Sequence, residues 1–202
     1  MTSHRPAAAL MTVCGLSAAA AGWLMCSPQP YADDIGALPT GVHRAVTGVR
    51  EESSPPVRIQ GPAGLDAAVV PVAARPDGAL NLPQDSRTGG WWALGSLAGA
   101  TAGTVLIAGH VDTEQGLGPF AALHETRVGA RITVTGADTR VRFYRVTARR
   151  TYSQQKLPPD LFTRTGPYRL ALITCAGPYD RATGGYEKNL VLYATPTGVS
   201  TT

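Results

Sequence analysis

From Val57 onward the chain consists of short apolar runs, each cut off by Gly, Pro, Asp or Thr. Runs of about four to eight apolar or β-branched residues between turn formers are strands. The spacing predicts strands at 57–60, 67–73, 104–109, 130–135, 140–149, 169–174 and 189–195, with weaker ones at 79–82 and 91–94. Pro119 to Glu125 and Pro158 to Phe162 each predict one or two turns of helix, because proline is pre-set for a first helical position. Within 140–149, Val141 and Phe143 share one phase and Tyr144 and Val146 the other, which predicts a bulge. Many short strands with little helix point to a mostly β fold, a barrel or a sandwich. There is no internal repeat and no heptad pattern.

The start of the chain is different in kind. Ala7 to Cys26 carries no charge. Twenty helical residues span roughly 30 Å, the thickness of a bilayer core. His4 and Arg5 precede the run, so residues 1–6 are expected to stay in the cytoplasm and the rest to be exported. The segment reads as an uncleaved, single-pass signal anchor; a cleaved signal peptide is the alternative. Residues 27–56 hold several Pro and Gly, Asp33-Asp34 and Glu51-Glu52-Ser53-Ser54-Pro55-Pro56, without periodicity, and read as a flexible tether. Residues 57–197 then form the folded domain, and 198–202 a C-terminal tail.

Composition excludes several classes. The net charge is +4 over 202 residues, but the 18 basic residues are scattered. Their densest cluster, Arg149-Arg150 near Arg145, is not interleaved with aromatics, which argues against nucleic-acid binding. Three cysteines are too few for a disulfide framework, and Cys14 and Cys26 lie in the N-terminal apolar segment. No Cys-x-x-Cys or His-Glu-x-x-His spacing suggests a metal, and no phosphate-binding glycine loop suggests a nucleotide. A Gly-x-Ser-x-Gly elbow is also missing.

Cys175 is left without a partner in its own domain. A lone thiol is either a small buried hydrophobe or a reactive group. It closes the run Leu170-Ala-Leu-Ile-Thr-Cys175 and opens the loop Ala176-Gly177-Pro178-Tyr179, so it is aimed by a strand and exposed by a loop. His110 ends another run, Thr104-Val-Leu-Ile-Ala-Gly-His110. It is a structural histidine or the thiol's proton partner. The remaining downstream imidazole, His124, falls in the helical turn after Pro119, expected to be exposed. Asp112 either orients the imidazole or caps its own turn. Arg181 is a solvated loop residue or a fixed cation for an oxyanion, with Lys188 as its competitor.

These pieces in this order resemble the sortases, and most closely the class F sortases of actinobacteria. The likeness covers roughly residues 57–196. It rests on Gly64-Leu-Asp66, Pro83 with Gly90-Trp-Trp92, Ile107-Ala-Gly-His-Val-Asp112, Leu172-Ile-Thr-Cys175, Tyr179-Asp-Arg-Ala-Thr-Gly184 and Asn189-Leu-Val-Leu-Tyr193. The resemblance implies a closed eight-stranded β-barrel and a cofactor-free, metal-free cysteine transpeptidase at the cell membrane, its catalytic domain extracellular. Cys175 would attack the Thr carbonyl of a sorting signal similar to Leu-Pro-x-Thr-Gly. His110 would shuttle the proton, and Arg181 would steady the oxyanion. Thr174, Asp112 and Ala176 would contact substrate. The partners implied are surface proteins bearing that signal and an amine of a peptidoglycan precursor.

Two features depart from the family pattern. Ala176-Gly177-Pro178 replaces the usual glycine pair. Alignment to other sortase classes through Thr183-Gly184 would put Asn189, not Arg181, where their arginine stands. Two other readings stay open: an exported thiol protease or amidase that only hydrolyses, and a non-catalytic tethered barrel that binds a partner.

Overall fold

The structure, a computed structural model, describes residues 34–40, 52–75, 79–182 and 184–200. The expected cytoplasmic end, the membrane anchor and most of the tether lie outside these. Among the described residues no helix is long and apolar enough to cross a membrane.

Eleven strands form: β1 (Ile35–Gly36), β2 (Pro56–Gln60), β3 (Asp66–Val72), β4 (Gly89–Trp92), β5 (Thr104–Ala108), β6 (Asp112–Thr113), β7 (Gly116–Leu117), β8 (Arg131–Gly136), β9 (Val141–Ser153), β10 (Arg169–Asp180) and β11 (Gly185–Ser200). Eight of them follow one another as β9-β11-β10-β5-β4-β3-β2-β8, and β8 pairs back onto β9. The sheet is therefore a closed eight-stranded barrel, which leaves no long free edge. The pairings β5–β10 and β3–β4 are parallel and the rest antiparallel. Both proline-led turns are 3₁₀ helices, Pro119–His124 and Pro159–Leu161. The weak 79–82 run makes only an isolated bridge, Ala74 with Leu80.

Strand alternation sorts the apolar side chains onto two faces. Val105, Ile107, Leu170, Leu172, Leu190, Leu192, Val134 and Val146 fill the interior, joined by Phe120 and Leu123 from the first 3₁₀ turn. Leu106, Ala108, Ala171, Ile173, Val191 and Tyr193 face outward. They are covered by Leu80, Leu82, Trp92, Leu157 and Phe162, with Tyr152 beside them. One wall of the barrel is thus apolar on both sides, which explains why β5 and the first half of β10 read as unbroken hydrophobic runs.

β9 outruns β8, and β1 covers the edge left over. Ile35 pairs with Arg149 and Gly36 with Ala148. Arg150 donates to the Ile35 and Gly36 carbonyls at 2.6 and 2.7 Å, and the Thr151 N–H donates to the Asp34 carboxylate at 2.7 Å. Part of the stretch read as tether is therefore a strand, and β11 runs on to Ser200.

The β9–β11 register does slip opposite Phe143 and Tyr144, where the phase of the sequence changes, but the extra residue there is Thr197 of β11; the extra residue of β9 lies elsewhere. Arg142, Tyr144 and Val146 are all buried, so alternation runs unbroken through 143–144. The register against β11 slips at Thr147, and Ala148 then belongs to the outer cluster. An arginine at an inward position disguised the pattern. Arg142 is 2% exposed and donates to both Asp138 oxygens, at 3.1 and 2.7 Å, and to the Glu52 carbonyl.

The Arg142 guanidinium holds the Asp138 carboxyl below its ordinary value, chiefly through those hydrogen bonds. The pair's stability is complete above the ordinary carboxyl range and is lost as pH falls through the lowered folded value. Asp138→Ala would strand a buried charge and should cost about 3 kcal/mol in urea unfolding at neutral pH. The difference from wild type should shrink as pH falls below the ordinary carboxyl range.

Candidate active site

Parallel pairing of β5 with β10 brings the two expected chemical groups to one place. Ala108 stands beside Ile173, and the Gly109 N–H donates to the Ile173 carbonyl at 3.0 Å. Two residues further on each chain are His110 and Cys175. Leu106 and Ala108 on one strand and Ala171 and Ile173 on the other all face outward, and a period of two carries His110 and Cys175 onto that same face. Gly109 is required here: any Cβ would run into the Phe120 ring.

The row extends further. Cys175 pairs with Asn189 on β11, and Asn189 pairs with Tyr152 on β9. Val191 and Tyr193 face outward, so Asn189 does too. Imidazole, thiol, carboxamide and phenol therefore form one cross-strand row at the end of the apolar outer face. The Asn189 amide donates one hydrogen bond, to the Gln154 carbonyl at 3.2 Å.

His110 is half-buried, with Nε2 3.3 Å from the Pro83 carbonyl. A carbonyl only accepts, so that nitrogen carries the proton and Nδ1 is left for exchange. Cys175 is a free, half-buried thiol. Burial, and secondly the negative charge of Asp112, push its pKa up. It rests as a thiol and not as a thiolate.

The other expected residues have separate places. Thr174 points inward, 2% exposed, and donates to the Gly109 carbonyl at 2.9 Å; it braces the two strands together. Ala176 also points into the core. Asp112 is exposed and accepts a 2.7 Å hydrogen bond from the Tyr186 hydroxyl. That bond ties the loop after His110 to the start of β11. It also pushes the Tyr186 phenol up to about 12, so the phenol stays a donor across the working pH range. Tyr179 packs edge-on against Tyr186, with centroids 5.3 Å apart.

Arg181 does not join this row. It is exposed in the turn between β10 and β11, with no hydrogen bond or ion pair among the described residues. Six residues of extended chain separate it from Cys175, at most roughly 20 Å. Lys188 pairs with Ala176, one step out of phase with the outward row.

His124 is the residue whose position the sequence reading missed. It was expected in an exposed turn, but it is half-buried and its Nε2 lies 3.1 Å from the Cys175 carbonyl. Phe120 and Leu123 stand three apart, so one 3₁₀ turn directs both into the core, whereas the spacing does not place His124.

A cleft of about 660 Å³ opens elsewhere, among Arg58, Asp66, Asp85, Arg87, Leu117 and Gly118. Neither Cys175 nor His110 lines it. No group of three His, Cys, Asp or Glu among the described residues could hold a metal ion.

Residues 62–197 match the family model of the sortase domain. The chain belongs to the sortase family. As a sortase it is a cysteine transpeptidase. Its fold is shared with sortase C from Streptococcus pneumoniae (TM-score 0.54, 17% identity, covering 72% of this chain and 69% of that one). It is also similar to a sortase from Actinomyces oris (0.53, 16%, 86% and 91%). A third likeness is to sortase E1 from Streptomyces coelicolor, solved with a tripeptide in its active site (0.52, 14%, 72% and 90%). No curated protein sequence matches the chain.

The electrostatics give a direct expectation for this sortase. Asp112→Asn removes the negative charge near the thiol, so the Cys175 pKa should fall. The pH dependence of its alkylation by iodoacetamide would show this as a midpoint displaced to lower pH. In the same variant the Tyr186 phenol should return from about 12 toward its ordinary 10, followed by NMR of the ring carbon.

Proposed function

We propose that this sortase cleaves exported proteins at a signal similar to Leu-Pro-x-Thr-Gly, between Thr and Gly, and joins them to a cell-wall amine. One observation carries the reading: His110 and Cys175 end adjacent parallel strands and face outward beside an apolar surface. Leu80, Leu82, Trp92, Leu157 and Phe162 around that surface suit the leucine and proline of such a signal. The resemblance of the His and Cys motifs supports a class F enzyme. The uncharged segment 7–26 supports a membrane anchor with the barrel outside.

The chemistry needs only the groups present. Cys175 Sγ bonds to the threonine carbonyl carbon, and its proton passes to His110. The C–N bond to glycine breaks, and His110 returns that proton to the departing amine. The thioester then meets an incoming amine, whose proton His110 takes as nitrogen replaces sulfur. Because the thiol rests neutral, transfer of its proton belongs to the first step.

The oxyanion needs a donor. The resemblance assigns Arg181, whereas the group beside the thiol is Asn189. Asn189→Ala should lower kcat on the order of tenfold or more, with Arg181→Ala affecting it less. A loss on the order of 10²-fold in Arg181→Ala, with Asn189→Ala near wild type, would return the role to Arg181.

A chain beginning near Ser53 should transfer a labelled Leu-Pro-x-Thr-Gly peptide to an added amine. Cys175→Ala and His110→Ala should abolish transfer. Retained activity in Cys175→Ala would sink the reading. Hydrolysis without transfer would favour the protease alternative.

A further inference from the structure

The parallel ladder between β5 and β10 ends at Ile173 and Ala108, two residues before Cys175. The Ile173 carbonyl accepts from the Gly109 N–H. The next carbonyl on the same side of β10 is that of Cys175, two residues on. Its ladder partner would be an N–H from the continuation of β5, but there the chain turns away into β6, with the Val111 carbonyl accepting from the Gly118 N–H, and no backbone N–H among the described residues donates to the Cys175 carbonyl. Beyond Cys175, β10 loses its register with β11 between Ala176 and Tyr179, and Gly177 takes φ +83°. The carbonyl of Cys175 therefore lacks its β5-side partner, although Cys175 and Ala176 still pair with Asn189 and Lys188 on β11.

His124 fills the vacant ladder position. Its Nε2 is 3.1 Å from the Cys175 carbonyl, and because a carbonyl only accepts, Nε2 is the donor. The turn that carries the imidazole is itself held firmly. Phe120 and Leu123 anchor its turn in the core. Arg149 on β9 donates to the carbonyls of His124 and Thr126 at 3.2 and 3.3 Å, and the Thr126 hydroxyl donates to the Ala122 carbonyl at 2.8 Å.

We propose that His124 is a positioning residue for the nucleophile: its Nε2–H replaces the missing strand partner of the Cys175 carbonyl and so fixes where the thiol points. The inference rests on Cys175 being the nucleophile of the transfer reaction. His124 touches neither substrate nor sulfur in this role, so a donor of the same reach should substitute for it. Glutamine can place its amide nitrogen there; alanine cannot.

The test compares His124→Ala and His124→Gln by peptide transfer, by iodoacetamide alkylation of Cys175 and by melting temperature. His124→Ala should lower kcat about tenfold with KM nearly unchanged, since one hydrogen bond is lost and the attacking atom drifts. Alkylation of the loosened thiol should speed up several-fold, on the scale of one hydrogen bond. His124→Gln should recover most of both. Wild-type kinetics in the alanine variant, or equal impairment in both variants, would overturn the proposal. Alkylation does not depend on transfer, so a wild type that fails to transfer peptide would fault the functional reading alone. If the alanine variant does not fold, ¹⁵N NMR of wild type decides: Nε2 of His124 should be protonated at pH 7.5, and a bare Nε2 would end the idea.

Discussion

Everything at this site depends on one parallel strand pair. β5 and β10 are far apart in sequence, and their alignment determines whether the imidazole and the thiol meet. Two hydrogen bonds hold it at its end: Gly109 N–H to the Ile173 carbonyl, and the Thr174 hydroxyl to the Gly109 carbonyl. A slip of one residue would send Cys175 into the core and Thr174 out to the groove. Thr174 resists that slip, because inside the barrel its hydroxyl has a partner and outside it would lose one. Parallel strands gain little from a tight turn, so burial on both faces must supply the register.

That double burial also sets the chemistry. A strand covered on one face could present a thiol to water. Here the outer cluster continues up to the cysteine, and the thiol is carried upward in pKa by the same desolvation that stabilises the wall. Asp112 adds to the effect, while its own charge is engaged by Tyr186. Fold stability and the resting state of the nucleophile are thus two results of one packing arrangement.

Much of this was legible in the residues. The turn-bounded apolar runs gave the strands, and the two runs that end near His110 and Cys175 are neighbours in the barrel. Other parts depended on information a single sequence does not carry. The β9 bulge was misplaced because buried Arg142 occupies an inward site with Asp138 as counterion, and a charge reads as exposed. Strand β1 was hidden in a polar, proline-containing stretch, since its pairing comes from Arg150 and the free edge of β9 rather than from its own pattern. His124 was passed over because a short turn has no recognisable face until its neighbours are known. Arg181 stands six residues beyond Cys175, past the register break between Ala176 and Tyr179, and a sequence distance across such a break does not translate into a position in space.

In the proposed exported enzyme, a neutral resting thiol has a consequence. The thiolate is the form that oxidants and stray electrophiles attack. An unpaired cysteine with a lowered pKa would be consumed by the chemistry of an oxidising compartment before it met substrate. Raising the pKa by burial and by Asp112 shifts that exposure in time. In the proposed reaction the reactive form arises when a bound peptide completes the path from Sγ through His110 to a leaving amine. The burial that slows attack at rest would then give selectivity, because the peptide bound along the apolar face supplies the carbonyl while His110 supplies the proton acceptor. On this view the apolar wall, the raised thiol and the strand-end histidine are one device, and the parallel register is what makes it possible.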